Sequence, residues 1–288
     1  MTVSSACADY ALGLKFSDIP KEALYWAKWG MLDCTGVGLA GSKSAVGAIV
    51  EDYLDFVGGK PQARVLGLGL STSATESAMA NGTLCHALDY DDCGGFGHPS
   101  TVLLPVIYAL ADLVKPTGEQ AIEAYVAGYE VGDAMADRVI FGKIDTGSWD
   151  LGWHPTGPHG TIGATITAAR LLGLNRQQIM CALGIAASEG CGIHKNFGTM
   201  TKPLHAGLAA RNGVFAALLA QRGYTADIDA LGGKQGFLRA FKGPGDYTEE
   251  LVCRRFGKTF TLSKGIAIKW YPGCWSTHRA VSSLIELM

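Results

Sequence analysis

Apolar residues along this chain recur mainly every three or four positions, which is the spacing of one face of an α-helix. The first such run begins after Pro20, a favoured residue for a first turn, and is expected to end near Gly36 and Gly38. The same spacing predicts further helices over residues 72–88, 99–114, 118–140, 160–172, 176–188 and 202–222. The sequence therefore predicts a mainly α fold, with one large all-helical domain over residues 1–264.

The predicted helices are rich in small residues at helical spacing, such as Gly160, Gly163 and Ala164. The chain has 39 glycines, and a glycine inside a helix costs about 1 kcal/mol relative to alanine. We therefore expect most of these glycines either to let two helices approach closely or to end a helix.

A strand pattern appears only near the end of the sequence. Residues 265–271 alternate in polarity, Pro272 and Gly273 close the run, and Thr277 is expected to cap a helix over 278–287. This pattern predicts the first strand and helix of an incomplete α+β lid domain over residues 265–288, with the remainder absent. A strand and one helix do not form an independently stable sheet, so either a partner completes this unit or the chain is a fragment.

The surface is expected to carry few charges, because 48% of the 288 residues are hydrophobic and only 17% are charged. Such an apolar excess favours burial against another subunit, so a homo-oligomer is expected. The net charge of -2 and the lack of any Lys/Arg cluster exclude the electrostatic surface that binding to nucleic acid or an anionic membrane requires. No apolar run reaches the roughly 18 residues that a membrane span needs.

Cysteine usage and the N-terminal residues indicate the compartment. The eight cysteines form no CxxC pair, and the stretch MTVSSACADYALGLKF lacks a basic start followed by an apolar run. Both features predict a reduced, cytoplasmic protein.

The densest polar cluster lies between two predicted apolar helices, over residues 86–100, and contains three aspartates and two histidines. His98 or Ser100 is expected to cap the helix over 99–114, whose N-terminal N–H groups attract anions. In one alternative the aspartates are ordinary loop residues and the glycines form a turn. In another, Asp and His ligate iron or zinc, although no HxH or HxxxH spacing supports a metal.

Three shorter segments add candidate residues. His154 precedes a glycine-rich helix, and Lys269 lies on an otherwise apolar strand. Lys202 and His205 are three residues apart and share one helix face. A bound carboxylate would account for the lysines, whereas the ordinary alternatives are a backbone contact for His154 and solvated side chains for both lysines.

Together these segments resemble the MmgE/PrpD family over nearly the whole chain. The stretches that carry the resemblance are HALDYDD…HPS (86–100), GWHPTG…GTIGATITAARLLGL (152–174), MTKPLHAGLAARNG (200–213), GGKQGFLRAF (232–241) and IKWYPGCWSTH (268–278). Members of the family include dehydratases, decarboxylases and epimerases of small polycarboxylates. The resemblance implies an all-helical domain, a smaller α+β lid, a homodimer, an active site between the two domains, and neither a metal nor an organic cofactor.

The resemblance also implies which residues form the site. By motif position, the family's active-site residues fall on Asp89, His98, His154, Lys202, Lys269 and Cys274. Cys93 stands where the family often has threonine, and the loop over 94–97 is short. We expect the catalytic residues to be His98, His154, Asp89 and Lys202. We expect the substrate-binding residues to be Lys269, Cys274, Cys93 and His205.

These residue types suit proton transfer next to a carboxylate, a step that dehydration, decarboxylation and epimerisation can share. His98 is the expected acid/base group, Asp89 orients a histidine or lysine, and the lysines balance charge that builds toward an enediolate. The preferred function is a cofactor-independent dehydratase of the 2-methylcitrate type, with an epimerase or decarboxylase of the same family as the alternative. Because the predicted lid is interrupted, we also expect weak turnover. The non-enzymatic alternatives are an impaired binding protein and a helical scaffold for protein partners.

Overall fold

Helices form most of the chain in the computed structural model, which describes residues 1–136, 139–140, 143–144, 147–243, 249–254 and 256–288. The first half contains, in chain order, α1 (Val3–Gly13), α2 (Lys21–Gly41), α3 (Ala45–Val57), β1 (Ala63–Arg64), β2 (Ser71–Thr72), α4 (Ala74–His86), α5 (Ser100–Val114) and α6 (Gly118–Ala136). The second half contains β3 (Val139–Ile140), β4 (Lys143–Ile144), α7 (Gly147–Asp150), α8 (Pro158–Leu171), α9 (Arg176–Ala187), α10 (Thr201–Gln221), α11 (Phe237–Lys242), α12 (Glu249–Cys253) and α13 (His278–Leu287). The predicted mainly α fold is confirmed.

Two predicted helix ends differ from the structure. Helix α2 continues through Gly36 and Gly38 to Gly41, because Gly38 is a contact point with α4: a Cβ there would lie 2.7 Å from Cys85 Sγ. Helix α6 ends at Ala136 and not at residue 140. Residues 139–140 instead form β3, which pairs antiparallel with β4, just as β1 pairs with β2. Residues 137 and 138 lie outside the described residues.

Close helix contacts at glycine hold the core together. A Cβ on Gly82 of α4 would lie 2.8 Å from the Cα of Gly207 on α10, and one on Gly163 of α8 would lie 2.7 Å from the carbonyl oxygen of Gly128 on α6. Any larger residue at these positions would force the helices apart, since protein interiors are close-packed. These contacts confirm the expected use of glycine, and they leave α8 buried on all sides from Pro158 to Ala169.

A buried carboxylate ties the C-terminal part of the chain to this core. Glu130 on α6 accepts hydrogen bonds from the backbone N–H groups of Thr261 and Leu262, both at 2.9 Å, and from the Thr261 hydroxyl at 2.8 Å. These bonds fix a 3₁₀ turn at Thr261–Lys264, which leads directly into the segment that carries Lys269. A side chain of the helical core thus sets the position of a predicted site residue.

The predicted strand over 265–271 is wrong. Only one residue pairs there, because Ala267 and Cys93 exchange both backbone hydrogen bonds, at 2.7 and 2.9 Å, as an isolated antiparallel bridge. No second strand lies beside it within the described part of the chain, so the ladder does not extend. Helix α13 is present with Thr277 at its N-cap position, as predicted, but the Thr277 hydroxyl makes no capping bond and donates to the Cys274 carbonyl oxygen at 2.7 Å. The domain boundary at 264/265 stays a prediction.

Large apolar side chains remain on the surface of the first helices. Phe56 on α3 is 88% exposed, and Ile49 and Tyr53 lie on the same helix with about half of their surface exposed. Tyr25 and Trp29 are similarly exposed on α2. Across the described residues, no helix combines the length and apolar character needed to cross a membrane.

Candidate active site

The loop between α4 and α5 supplies four of the polar side chains of the site: Asp89, Asp91, Cys93 and His98. Asp89 adopts a left-handed backbone conformation, with φ of 49°, which few residues other than glycine and Asn or Asp favour. Gly97 lets the loop approach the next segment, because a Cβ there would lie 2.4 Å from Thr156 Oγ1. The predicted helix cap is wrong: Pro99 is the N-cap of α5 without a side-chain bond, and the Ser100 hydroxyl lies 2.6 Å from the Tyr125 hydroxyl.

Asp91 holds two histidines at once. Its Oδ1 lies 2.8 Å from Nδ1 of His86, and its Oδ2 lies 2.7 Å from Nδ1 of His98. The Asp91 side chain is fully buried, whereas 12% of the His98 side chain is exposed. Each oxygen of the carboxylate is therefore hydrogen-bonded to Nδ1 of one imidazole. Nε2 is the nitrogen of each ring that Asp91 does not engage.

The charges on this group follow from burial and pairing. Burial opposes ionisation of Asp91, but the two imidazoles outweigh it and hold the pKa of Asp91 well below its usual value. Burial by itself would lower the pKa of His98, yet the charge and hydrogen bond of Asp91 raise it to about 10. Burial dominates at His86 and lowers its pKa to about 4. At neutral pH the group is thus a carboxylate, one imidazolium at His98 and one neutral imidazole at His86.

Asp89 forms a second buried charge group, with the two predicted lysines. Lys202 Nζ contacts its Oδ2, and Lys269 Nζ lies 2.6 Å from its Oδ1 and 2.6 Å from its carbonyl oxygen. Burial favours the neutral acid, but His86, Lys269 and Lys202 together lower the pKa of Asp89. The Lys269 side chain is fully buried, so the alternative of a solvated lysine does not hold. Two cations face one carboxylate, which leaves a net positive charge.

His154 and His205 form a third pair. Their Nδ1 atoms lie 3.1 Å apart, so one ring donates and the other accepts. The backbone N–H of His154 also donates to the Gly192 carbonyl oxygen at 3.0 Å. Burial, followed by the charges of His86 and His98, lowers the pKa of His154, so the ring is neutral.

A cavity of about 350 Å³ lies where these groups meet. Six predicted site residues line it: Asp89, Cys93, His98, His154, Lys202 and Cys274. Apolar walls come from Trp149 and Phe197, and Lys202 Nζ lies 5.2 Å from the centre of the Phe197 ring. Lys269 and His205 are not among the described residues that line the cavity; each lies behind a residue that does.

Two kinds of site residue were not among those predicted. His86 and Asp91 belong to the polar cluster noted in the sequence, but nothing in the spacing shows that one carboxylate bridges two imidazoles. Trp149 and Phe197 carry no polar motif, so their place in the cavity depends on the packing of distant segments. A charged cluster flanked by histidines was the signal available in the sequence, and residues of that cluster line the cavity.

The same groups are close enough to hold a metal ion. One ring nitrogen from each of His86, His98 and His154 lies within 4.8 Å of the others, and so do ligand atoms of His86, Asp89, Asp91 and His98. The sequence shows no HxH or HxxxH spacing because His86 and His98 are twelve residues apart and His154 comes from a separate segment. Proton transfer and metal binding are therefore both within reach of this arrangement.

Comparison with known proteins identifies relatives of the whole chain. Residues 5–250 match the MmgE/PrpD N-terminal domain family. The chain is 32% identical to a cis-aconitate decarboxylase of Aspergillus terreus over 308 residues, covering 99% of this chain and 60% of that protein. It is 27% identical to a cis-aconitate decarboxylase of Homo sapiens over 280 residues, covering 96% of this chain and 58% of that protein. The chain thus spans about 60% of the length of these curated relatives.

Proposed function

The chain belongs to the MmgE/PrpD family, and we propose that it catalyses decarboxylation of a small unsaturated polycarboxylate of the cis-aconitate type. The observation that carries this proposal is His98, fixed by Asp91 and placed beside Lys202 on the wall of one cavity. Both relatives described above are decarboxylases, which favours the decarboxylase alternative over the dehydratase preferred from the sequence. The epimerase alternative has no such support.

Decarboxylation of such a substrate needs charge balance and one proton. A carboxylate on a CH₂ group lies next to a carbon–carbon double bond. When it leaves as CO₂, the electron pair of the broken C–C bond enters the allylic system and is shared with the far carboxylate. A proton added to carbon then gives an unsaturated dicarboxylate with one carbon fewer. The reaction consumes no oxidant and no second substrate, so cations and a proton donor suffice.

Lys202 is the group that would bind a substrate carboxylate directly. It lines the cavity, and an ammonium group has three donors, of which Asp89 engages one. Lys269 lies behind Asp89 and adds a second positive charge. Because the side chains of Trp149 and Phe197 give the cavity apolar walls, these charges act on the electron pair released by CO₂ loss in less polar surroundings than bulk water.

His98 is the group that would deliver the proton. Its Nδ1 is bonded to Asp91, so Nε2 is the nitrogen available to a substrate in the cavity. A pKa of about 10 keeps the ring protonated at neutral pH, as an acid must be before it acts. His154 is neutral, and its proposed role is to donate a hydrogen bond to the substrate, with His205 fixing its ring.

Incubating the protein with a panel of polycarboxylates and following each by proton NMR tests the proposal. The panel contains cis-aconitate, a 2-methylcitrate-type hydroxy acid and a chiral dicarboxylate. Loss of CO₂ from cis-aconitate alone is the expected result. Elimination of water from the hydroxy acid would contradict the proposal and support the dehydratase function. Inversion of the chiral acid would support the epimerase function.

Lys202→Ala is expected to raise KM about tenfold and also to lower kcat, because a buried hydrogen-bonded charge contributes to ground state and transition state alike. Steady-state kinetics on the decarboxylated substrate measure both constants. The matched control is Lys195→Ala, an exposed lysine seven positions earlier that does not line the cavity in the described structure. An unchanged KM in Lys202→Ala would remove Lys202 from the binding site.

EDTA is expected to leave turnover unchanged, because the lysines and the His98 imidazolium supply the positive charge that the reaction needs. Activity is measured before and after dialysis against the chelator. Loss of activity that a divalent ion restores would contradict the metal-free mechanism.

A homodimer is also part of the proposal. The apolar side chains exposed on α2 and α3 form a surface that a second copy would cover. Light scattering after size exclusion is expected to give twice the chain mass of 30.3 kDa.

We place the protein in a reducing compartment such as the cytoplasm. All eight cysteines are unpaired thiols. Oxidising compartments favour disulfides, so eight unpaired thiols support the cytoplasmic assignment.

A further inference from the structure

Three histidine side chains lie close together beside the cavity, and two of them, His98 and His154, line it. The ring centroids of His86 and His98 lie 4.3 Å apart, and His154 lies 6.0 and 5.9 Å from them. One nitrogen of each ring lies within 4.8 Å of the other two. In a tetrahedral zinc site with Zn–N bonds of about 2.0–2.1 Å, the ligand nitrogens lie roughly 3.3 Å apart, so the rings would have to move together by up to about 1.5 Å to bind the ion.

One nitrogen of each ring is already held by a neighbouring side chain. Nδ1 of His86 and of His98 is bonded to Asp91, and Nδ1 of His154 is bonded to His205. The nitrogen left on each ring is therefore Nε2. A carboxylate bonded to the far nitrogen of an imidazole is the usual outer partner of zinc-binding histidines.

One of these nitrogens has no use in the proposed reaction. Nε2 of His86 is buried and has no hydrogen-bond partner in the described structure. A buried polar atom without a partner is costly, and such atoms often mark an ion or another bound group. The negative charges of Asp89 and Asp91 lie beside the cluster and offset Lys202 and Lys269.

We propose that His86, His98 and His154 form a zinc-binding site through their Nε2 atoms and that zinc reversibly inhibits the enzyme. Zinc binding to Nε2 of His98 displaces the proton on that nitrogen to solvent, so the proton donor is lost while zinc is present. The inhibition rests on the proposed function, but the binding of zinc does not, and it agrees with an activity that needs no metal.

Zinc chloride titrated against a chromophoric chelator tests the binding step in the full chain. One zinc per chain is expected, and His86→Gln and His154→Gln should each lower the affinity about 100-fold, the upper end of what even an outer partner contributes. His278→Gln is the matched control, because this histidine lies on α13 outside the cluster and should leave the affinity unchanged. Thermal unfolding checks that each variant is folded.

X-ray absorption of the zinc-loaded wild type keeps the test independent of the variants. Three nitrogens at about 2.0–2.1 Å are expected, whereas a sulfur shell at about 2.3 Å would place zinc on Cys93 or Cys274 and overturn the site. Equal affinity in wild type, His86→Gln and His154→Gln would overturn it too. If zinc binds the histidines but no acid is turned over, only the proposed function fails; if cis-aconitate is decarboxylated and zinc neither binds nor inhibits, only this inference fails.

Discussion

His98→Gln is expected to lower kcat by about 10² to 10⁴-fold and to leave KM nearly unchanged. Glutamine keeps a similar shape and one N–H donor, but it cannot transfer a proton. The loss therefore falls on the chemical step, and steady-state kinetics with the decarboxylated substrate separate it from binding. In the structure, His98 is the cavity-lining imidazole that is paired with a carboxylate. We expect a large loss of kcat because this pairing keeps the ring protonated and oriented as the proton donor.

The same experiment decides between the two histidines of the cavity. His154→Gln removes a neutral ring whose pKa is lowered by burial, and a smaller effect, mainly on substrate binding, is expected. Near-normal kcat in His98→Gln together with a large loss of kcat in His154→Gln would show that His154, and not His98, is the proton donor.

Asp91→Asn is expected to move the alkaline limb of the pH profile of kcat/KM by several pH units. In the wild type, Asp91 raises the pKa of His98 to about 10, so the acid form is lost only as the pH rises through that value. Without the carboxylate charge, burial brings the pKa to its ordinary 6.5 or below, and the acid form is lost as the pH rises through neutrality. At pH 8 the expected loss is at least about 30-fold, the fraction of imidazolium left at a pKa near 6.5.

Asp92→Asn is the control for this shift. Asp92 is the next residue and is also fully buried, but burial and the charge of Asp91 raise its pKa to about 7. The carboxyl oxygens of Asp92 make no hydrogen bond to His98. The contact between the two residues is from His98 Nδ1 to the backbone carbonyl oxygen of Asp92, at 3.2 Å. The alkaline limb should therefore stay within about one pH unit of the wild type. An equal shift of the alkaline limb in both variants would mean that any buried charge in the loop raises the pKa of His98. That result would contradict a specific role of Asp91.

The helices could be predicted from the sequence because their signals are local. Apolar spacing located α4, α5, α8, α9 and α10 to within about two residues, since each buries one continuous face or is buried on all sides. The prediction of a strand at 265–271 was wrong because alternating polarity gives a strand only where a second strand is present to pair with it. Here the segment pairs through Ala267 alone, and its lysine is turned toward Asp89.

The site was predictable in membership but not in arrangement. The resemblance located Asp89, His98, His154 and Lys202, and all four line the cavity. It did not show that Asp89 binds both Lys202 and Lys269. Nor did it show that Asp91, and not Asp89, orients His98. Contacts such as that of His154 with His205 join residues far apart in sequence, and only the packing of α10 against the loop before α8 brings them together.

Incubation with cis-aconitate in deuterated water, followed by proton NMR of the product, tests directly whether the protein decarboxylates this acid with His98 as the proton donor. We predict release of one CO₂ per substrate and an unsaturated dicarboxylate that carries one deuterium on the carbon next to the far carboxylate, with the rate lost in His98→Gln. Consumption of cis-aconitate by addition of water, deuterium exchange without loss of CO₂, or recovery of the substrate unchanged would contradict the account.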